Sequence, residues 1–349
     1  MNYRQRANFD SAELAVVLSH YDLGVIESVT ELPRGSRRSP KVGIVCQRGK
    51  FLLKQRALTR VRLDRVELSH RIQKFLREQG FPLPQLVATR AAGQLFLIHA
   101  DHLYELFEFV PGHGFSRTAA EARDAGAMLA RFHQILSSLT SESLARLPTG
   151  DYHDAPGVRV GLCRIEATLS SHDSFSGDEA ELAGLIQFLL AAYDHAAEMV
   201  NRAGFAQWPQ RLVHSDWHAG NLLFRDHKVL AVLDYDALRL SRVITDVANG
   251  ALHFSIIAGE DPTTWPDHLD EALFAAFLND FEKIMPLTGD ERRSIVPLMA
   301  EALIAECVPP ITETGSVGRW SGFRVLQMVR RKLSWLAANG HALVAGSGG

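Results

Sequence analysis

The chain is poor in cysteine. Its 349 residues include three, Cys46, Cys163 and Cys307. They lie far apart, with neither the close spacing of a zinc site nor the density of a disulfide scaffold, so a reducing cytoplasm is the expected compartment. No apolar run approaches the length that spans a bilayer, and the N-terminus lacks an apolar signal core, so no membrane partner is expected. Charge of either sign is close to balanced, with a net of −3. That leaves no electrostatic case for nucleic acid or a polyanionic surface. Glycine is scarce where phosphate loops need it: residues 31–40, ELPRGSRRSP, hold one glycine and no G-x-G-x-x-G.

What is present suits a globular enzyme. Apolar residues make up 46% of the chain, an ordinary share. The length exceeds one comfortable core and implies two domains. The densest chemistry lies in residues 212–224, LVHSDWHAGNLLF, followed by AVLDYD at 231–236. Short apolar runs flank a polar loop carrying His214, Asp216 and Asn221, and a further apolar strand ends at Asp234. That spacing offers a general base, Asp216, and two oxygen ligands for a cation, Asn221 and Asp234. His214, Asp216 and His218 at two-residue steps also allow a transition-metal cluster of hydrolase type.

H-x-D-x-x-x-x-N with a following strand-end Asp resembles the catalytic loop and metal-binding segment of the protein-kinase-like fold. HSDWHAGN with LDYD is similar to the aminoglycoside phosphotransferase and choline kinase superfamily, which includes type II homoserine kinases. The resemblance implies an α+β, bilobal protein-kinase-like fold: residues 1–108 as a small β-rich lobe with one helix, and 109–349 as a larger, mainly helical lobe. It implies ATP and Mg²⁺ as cofactors and a small-molecule hydroxyl acceptor as substrate. Lys54, following three apolar residues of a strand, becomes the phosphate-contacting lysine. Glu67, mid-helix, becomes its ion-pair partner. Gly35 and Ser36 would cover phosphate. The backbone near Glu108 and Val110 would meet the nucleobase. His133, in GAMLARFH, is expected to be structural. Asp246 reads as a helix N-cap, or as a brace for the catalytic loop with Arg239 or Arg242 as partners.

Local patterns place the elements. Residues 42–47 and 51–54 read as strands, 58–78 as a helix, and 95–98 and 103–110 as strands. Residues 119–136 and 179–202 read as helices, separated by a polar insertion at 148–177. Residues 298–307 form an apolar helix carrying Glu301 and Glu306, running into Pro309-Pro310. Either acid could receive a substrate amine. After Asp234 there is no A-P-E element and no Ser/Thr-rich segment, which disfavours a protein-directed kinase of this fold. Retention of Lys54, Asp216, Asn221 and Asp234 disfavours a silent nucleotide-binding scaffold. A homoserine kinase-like reaction is the first specific expectation.

Overall fold

The computed structural model describes residues 9–32, 39–91, 93–139, 147–170 and 178–347. Gly35 and Ser36 lie outside the described residues. The chain divides into two compact units, Met1–His113 with Leu230–Asp236, and Gly114–Val229 with Ala237–Gly349. The expected boundary after residue 108 therefore falls five residues later. The segment that ends in Asp234 also belongs to the first unit, because Val232 N–H donates to Pro82 O at 2.9 Å.

The first unit is built on five strands: β1 (Ile26–Glu31), β2 (Lys41–Cys46), β3 (Gly49–Ala57), β4 (Leu97–His99) and β5 (His102–Glu108). They lie in the order β1-β2-β3-β5-β4, and each neighbouring pair is antiparallel. Alternation in β2 turns Val42, Ile44 and Cys46 inward. There they join Leu53, Tyr104 and Leu106 against Val17 and Leu18 of α1 (Ser11–Ser19). Helix α1 is an addition to the one helix expected. Only Val17 and Leu18 of its nine residues are buried, and its short, mostly apolar sequence shows no stripe to mark a helix. Asp10 caps it by accepting from Ala12 N–H.

The second helix, α2 (Leu63–Glu78), starts later than expected. Leu58–Arg60 is a 3₁₀ turn, and Arg62 is extended, which delays the α-helix. Gly80, at φ +72°, supplies the left-handed turn after the helix.

The second unit is helical: α3 (Ala119–Leu136), α4 (Pro156–Ser170), α5 (Glu179–Arg202), α6 (Val243–Ser255), α7 (Glu271–Glu282), α8 (Gly289–Thr314) and α9 (Gly322–Gly346). Helix α4 occupies the stretch expected to be a polar insertion. Its Leu162, Ile165 and Leu169 are buried. Helices α3 and α7 approach closely at Gly126, where a Cβ would stand 2.0 Å from Phe277 O. Helix α8 runs on through Pro309 and Pro310 to Thr314. Each proline removes one helical N–H, but buried Val308 and Ile311 hold the last turns in place. Among the described residues, α8 is the one helix long and apolar enough to cross a membrane. Its Leu298, Met299 and Ala302 are fully buried in the unit's core.

Candidate active site

In the second unit, β6 (Arg211–Val213) pairs antiparallel with β7 (Arg239–Ser241). The loop carrying His214 to Asn221 leaves the end of β6. Its anchor is Asp246 in the first turn of α6, 1% exposed. Asp246 Oδ2 accepts from His214 N–H at 2.7 Å, and Oδ1 accepts from Ser215 N–H at 2.8 Å. His133 Nε2 of α3 lies 3.2 Å from Oδ2. Burial pushes the Asp246 carboxyl up, but His133, His214 and the backbone donor outweigh it and hold it below the usual range. Asp246 is thus a brace. The N-cap position belongs to Arg242. Arg242 and Arg239 are engaged elsewhere, Arg242 with Phe205 O and Ala206 O and Arg239 with Ala237 O. Ser215, whose N–H the brace receives, stands at φ +62°, a conformation L-residues rarely adopt.

Within the braced loop, Asn221 Nδ2 donates to Asp216 Oδ2 at 2.7 Å and to Asp216 O at 3.0 Å. That geometry commits the amide nitrogen and keeps the amide oxygen for another partner. His218 Nδ1 accepts from Gly220 N–H at 3.0 Å, so a neutral ring carries its proton on Nε2. Nε2 lies 3.4 Å from Asp216 Oδ1. Burial raises the Asp216 carboxyl; the hydrogen bond and charge of His218, then His214 and Asn221, bring it down to about 2. Asp216 is therefore an ionised acceptor at neutral pH. His218 lies 5.7 Å, ring to ring, from His253, whose Nε2 meets Glu306 Oε1 at 2.8 Å.

His214 is fully buried, with its ring against Phe132 and Trp217. Turned into the core, it cannot join Asp216 and His218 around a transition metal. Among the described residues no group of three His, Cys, Asp or Glu side chains could hold a metal ion. This overturns the hydrolase-type cluster. Glu301 is also spoken for: it is fully buried, takes His153 Nδ1 at 2.8 Å and accepts from Asp154 N–H at 2.8 Å. Glu306 is exposed on α8.

In the first unit, Lys54 is 5% exposed. Its Nζ lies 2.6 Å from Asp236 Oδ2 and 3.2 Å from Asp234 Oδ1. Burial lowers the ammonium, but Asp236, Asp234 and Glu105 together outweigh burial and the repulsion of Arg56, leaving it raised. Arg56 Nη1 reaches Asp236 Oδ1 at 2.7 Å. Asp234 stands at φ +61°, with Tyr235 between the two acids buried and its carbonyl accepting from Ser69 of α2 at 3.2 Å. The expected Lys54–Glu67 pair is not formed. Glu67 lies on the exposed face of α2, and Lys54 is held by acids from residues 234–236 instead. At the end of β5, Glu108 N–H donates to Gln85 O at 2.8 Å and Val110 O accepts from Gly112 N–H at 3.0 Å. The Glu108 amide is thus already committed.

The model of a family described as the phosphotransferase enzyme family matches residues 33–287. The chain belongs to that phosphotransferase family. Solved structures share its fold across nearly the whole chain. An amicoumacin kinase, in complex with AMP-PNP, Ca²⁺ and Ami, is 15% identical with a TM-score of 0.68, covering 95% of this chain and 96% of its own. A microcompartment-associated aminopropanol kinase is 15% identical at 0.70, covering 96% and 98%. A choline kinase from Cryptosporidium parvum is 11% identical at 0.64, covering 97% of each. No curated protein sequence matches the chain.

Several residues of this phosphotransferase's site escaped the sequence. Arg56 and Glu105 sit at alternate positions on adjacent strands, and period-two alternation with Lys54 was their available signal. His133 was recognised as structural, but its partner Asp246 lies 113 residues away, beyond any local pattern. Glu306 of α8 stood out in the sequence, but its partner His253 of α6 had no signal.

Proposed function

We propose that the protein transfers the γ-phosphate of ATP to a hydroxyl of a small molecule, such as an amino alcohol, a homoserine-like amino acid, a sugar or an aminoglycoside. The observation that carries this is the Asp216–Asn221 bond inside the loop braced by Asp246. It keeps an ionised carboxylate aimed and an amide oxygen available, as a transfer with little covalent chemistry requires. Asp216 accepts or orients the proton of the attacking hydroxyl. Asn221 and Asp234 are the proposed Mg²⁺ ligands. Their donor atoms are the hard oxygens Mg²⁺ prefers, and Mg²⁺ is usually bound by one or two protein oxygens together with phosphates and water. Bound there, the ion would neutralise developing phosphate charge. Lys54 adds a fixed positive charge for the phosphates. The Glu108 carbonyl and Val110 backbone remain the proposed nucleobase contacts.

For the acceptor, exposed Glu306 pairs with His253 at 2.8 Å, and the His253 ring lies 5.7 Å from that of His218, which stands 3.4 Å from Asp216. That supports an acceptor carrying an amine beside its hydroxyl. The test is ADP release from Mg·ATP across homoserine, choline, ethanolamine, sugars, aminoglycosides and a generic protein substrate. Acceptor-dependent release with one small molecule is expected. Release with the protein substrate alone would contradict the proposal.

A further inference from the structure

Lys54 and Glu105 face each other in the β3–β5 ladder, so both side chains leave the sheet on the same face. Arg56, two residues on, leaves on that face too. The opposite face of these strands, with Leu53, Tyr104 and Leu106, belongs to the apolar core. Glu105 is 3% exposed. One carboxylate oxygen meets Arg56 Nη2 at 2.7 Å. The other meets His70 Nε2 of α2 at 2.5 Å. His70 is itself 4% exposed. A buried carboxylate on the sheet therefore ties the helix to the strand that carries the lysine. The helix contributes an imidazole to this tie, and its two glutamates, Glu67 and Glu78, are exposed.

The two acids that touch Lys54 directly are Asp234 and Asp236. Under the proposed function, Asp234 serves a cation and its hold on the lysine weakens. Glu105 is the third acid whose charge acts on Lys54. Its oxygens are committed to Arg56 and His70, so it stays beside the lysine whatever Asp234 binds. A buried carboxylate with two cationic or donor partners is also a fixed one, since moving it would strand charges in a desolvated place.

We propose that Glu105, tied to α2 through His70, is the positioning residue that fixes Lys54 and Arg56 for a nucleotide's phosphates. The inference rests on the kinase reading and concerns nucleotide binding rather than the acceptor. It assigns to a strand acid and a helix histidine the link that a helix glutamate was expected to provide.

Calorimetry of ADP binding, with kinetics in both substrates, tests it on Glu105→Gln, Glu105→Asp, His70→Leu and Glu67→Gln. Glu105→Gln and His70→Leu are expected to weaken ADP binding and raise the nucleotide KM by about 10- to 100-fold. Acceptor KM should stay unchanged, and Glu105→Asp should recover part of the loss. A purely structural role would lower the active fraction and leave both KM values alone. Unchanged ADP affinity in folded Glu105→Gln would overturn the proposal, as would an equal loss in Glu67→Gln. If Glu105→Gln does not fold, His70→Leu reads the same tie from the helix side, and wild-type affinity there overturns it equally. Absence of ADP binding by the unsubstituted protein would instead count against the kinase reading. Hydrogen exchange in α2 then decides the tie: loss of protection in His70→Leu supports it and unchanged protection overturns it.

Discussion

At the scale of single residues, the site depends on carboxylates with different tasks. Asp216 is held ionised and aimed. Asp246, 1% exposed, accepts from two backbone N–H groups and lies 3.2 Å from His133 Nε2. Removing it strands those donors. Asp246→Asn is expected to destabilise the protein by about 3–5 kcal/mol, the range for breaking a buried charge pair, as measured by urea denaturation. A wild-type midpoint would show that the loop does not lean on this residue. The motif residues Asp216, Asn221 and Asp234 were legible because their chemistry is packed into 19 consecutive positions. Asp246 was half legible, since its position before an apolar helix suggested a cap. Glu105 and Arg56 were not recognised, because a charge inside a strand looks the same whether it meets water or a buried partner until the strand order is known.

At the scale of elements, two helices were legible to the residue. Helices α3 and α5 span 119–136 and 179–202 as their periodicity predicts. Helix α1 was missed because six of its nine residues, SAELAVVLS, are apolar, so no stripe stands out in so short a run. Helix α8 was cut short in the sequence because Pro309-Pro310 normally ends a helix; its burial kept it going. Helix α4 was hidden by polar flanks. Packing between elements shows most clearly at Gly126, where α3 meets the backbone of α7. Gly126→Ala would place a methyl against a carbonyl that cannot swing aside. The expected cost is about 1–3 kcal/mol from overpacking, read as a lowered melting temperature. An unchanged melting temperature would mean that the two helices separate freely.

At the scale of the whole molecule, each unit carries its own part of the proposed chemistry. Lys54, Asp234 and Asp236 lie in the first, and Asp216 and Asn221 in the second. One pH effect follows from the second unit. Burial lowers His253, but Glu306 and Asp216 raise it above its ordinary 6.5. A raised folded value means that protonated His253 stabilises the fold fully below about 6.5, and that this contribution fades as pH rises through the folded value. The melting temperature should therefore fall less between pH 6 and pH 9 in His253→Gln than in the unsubstituted protein. Parallel profiles would deny the pair a role. The central claim is that Asp216 serves the transfer step and not nucleotide binding. The measurement that tests it most directly compares Asp216→Asn with the unsubstituted protein in two assays, Mg·ATP binding by calorimetry and acceptor-dependent ADP release. Unchanged affinity with turnover reduced by about 10² or more is the predicted result. Turnover equal to that of the unsubstituted protein would contradict the account.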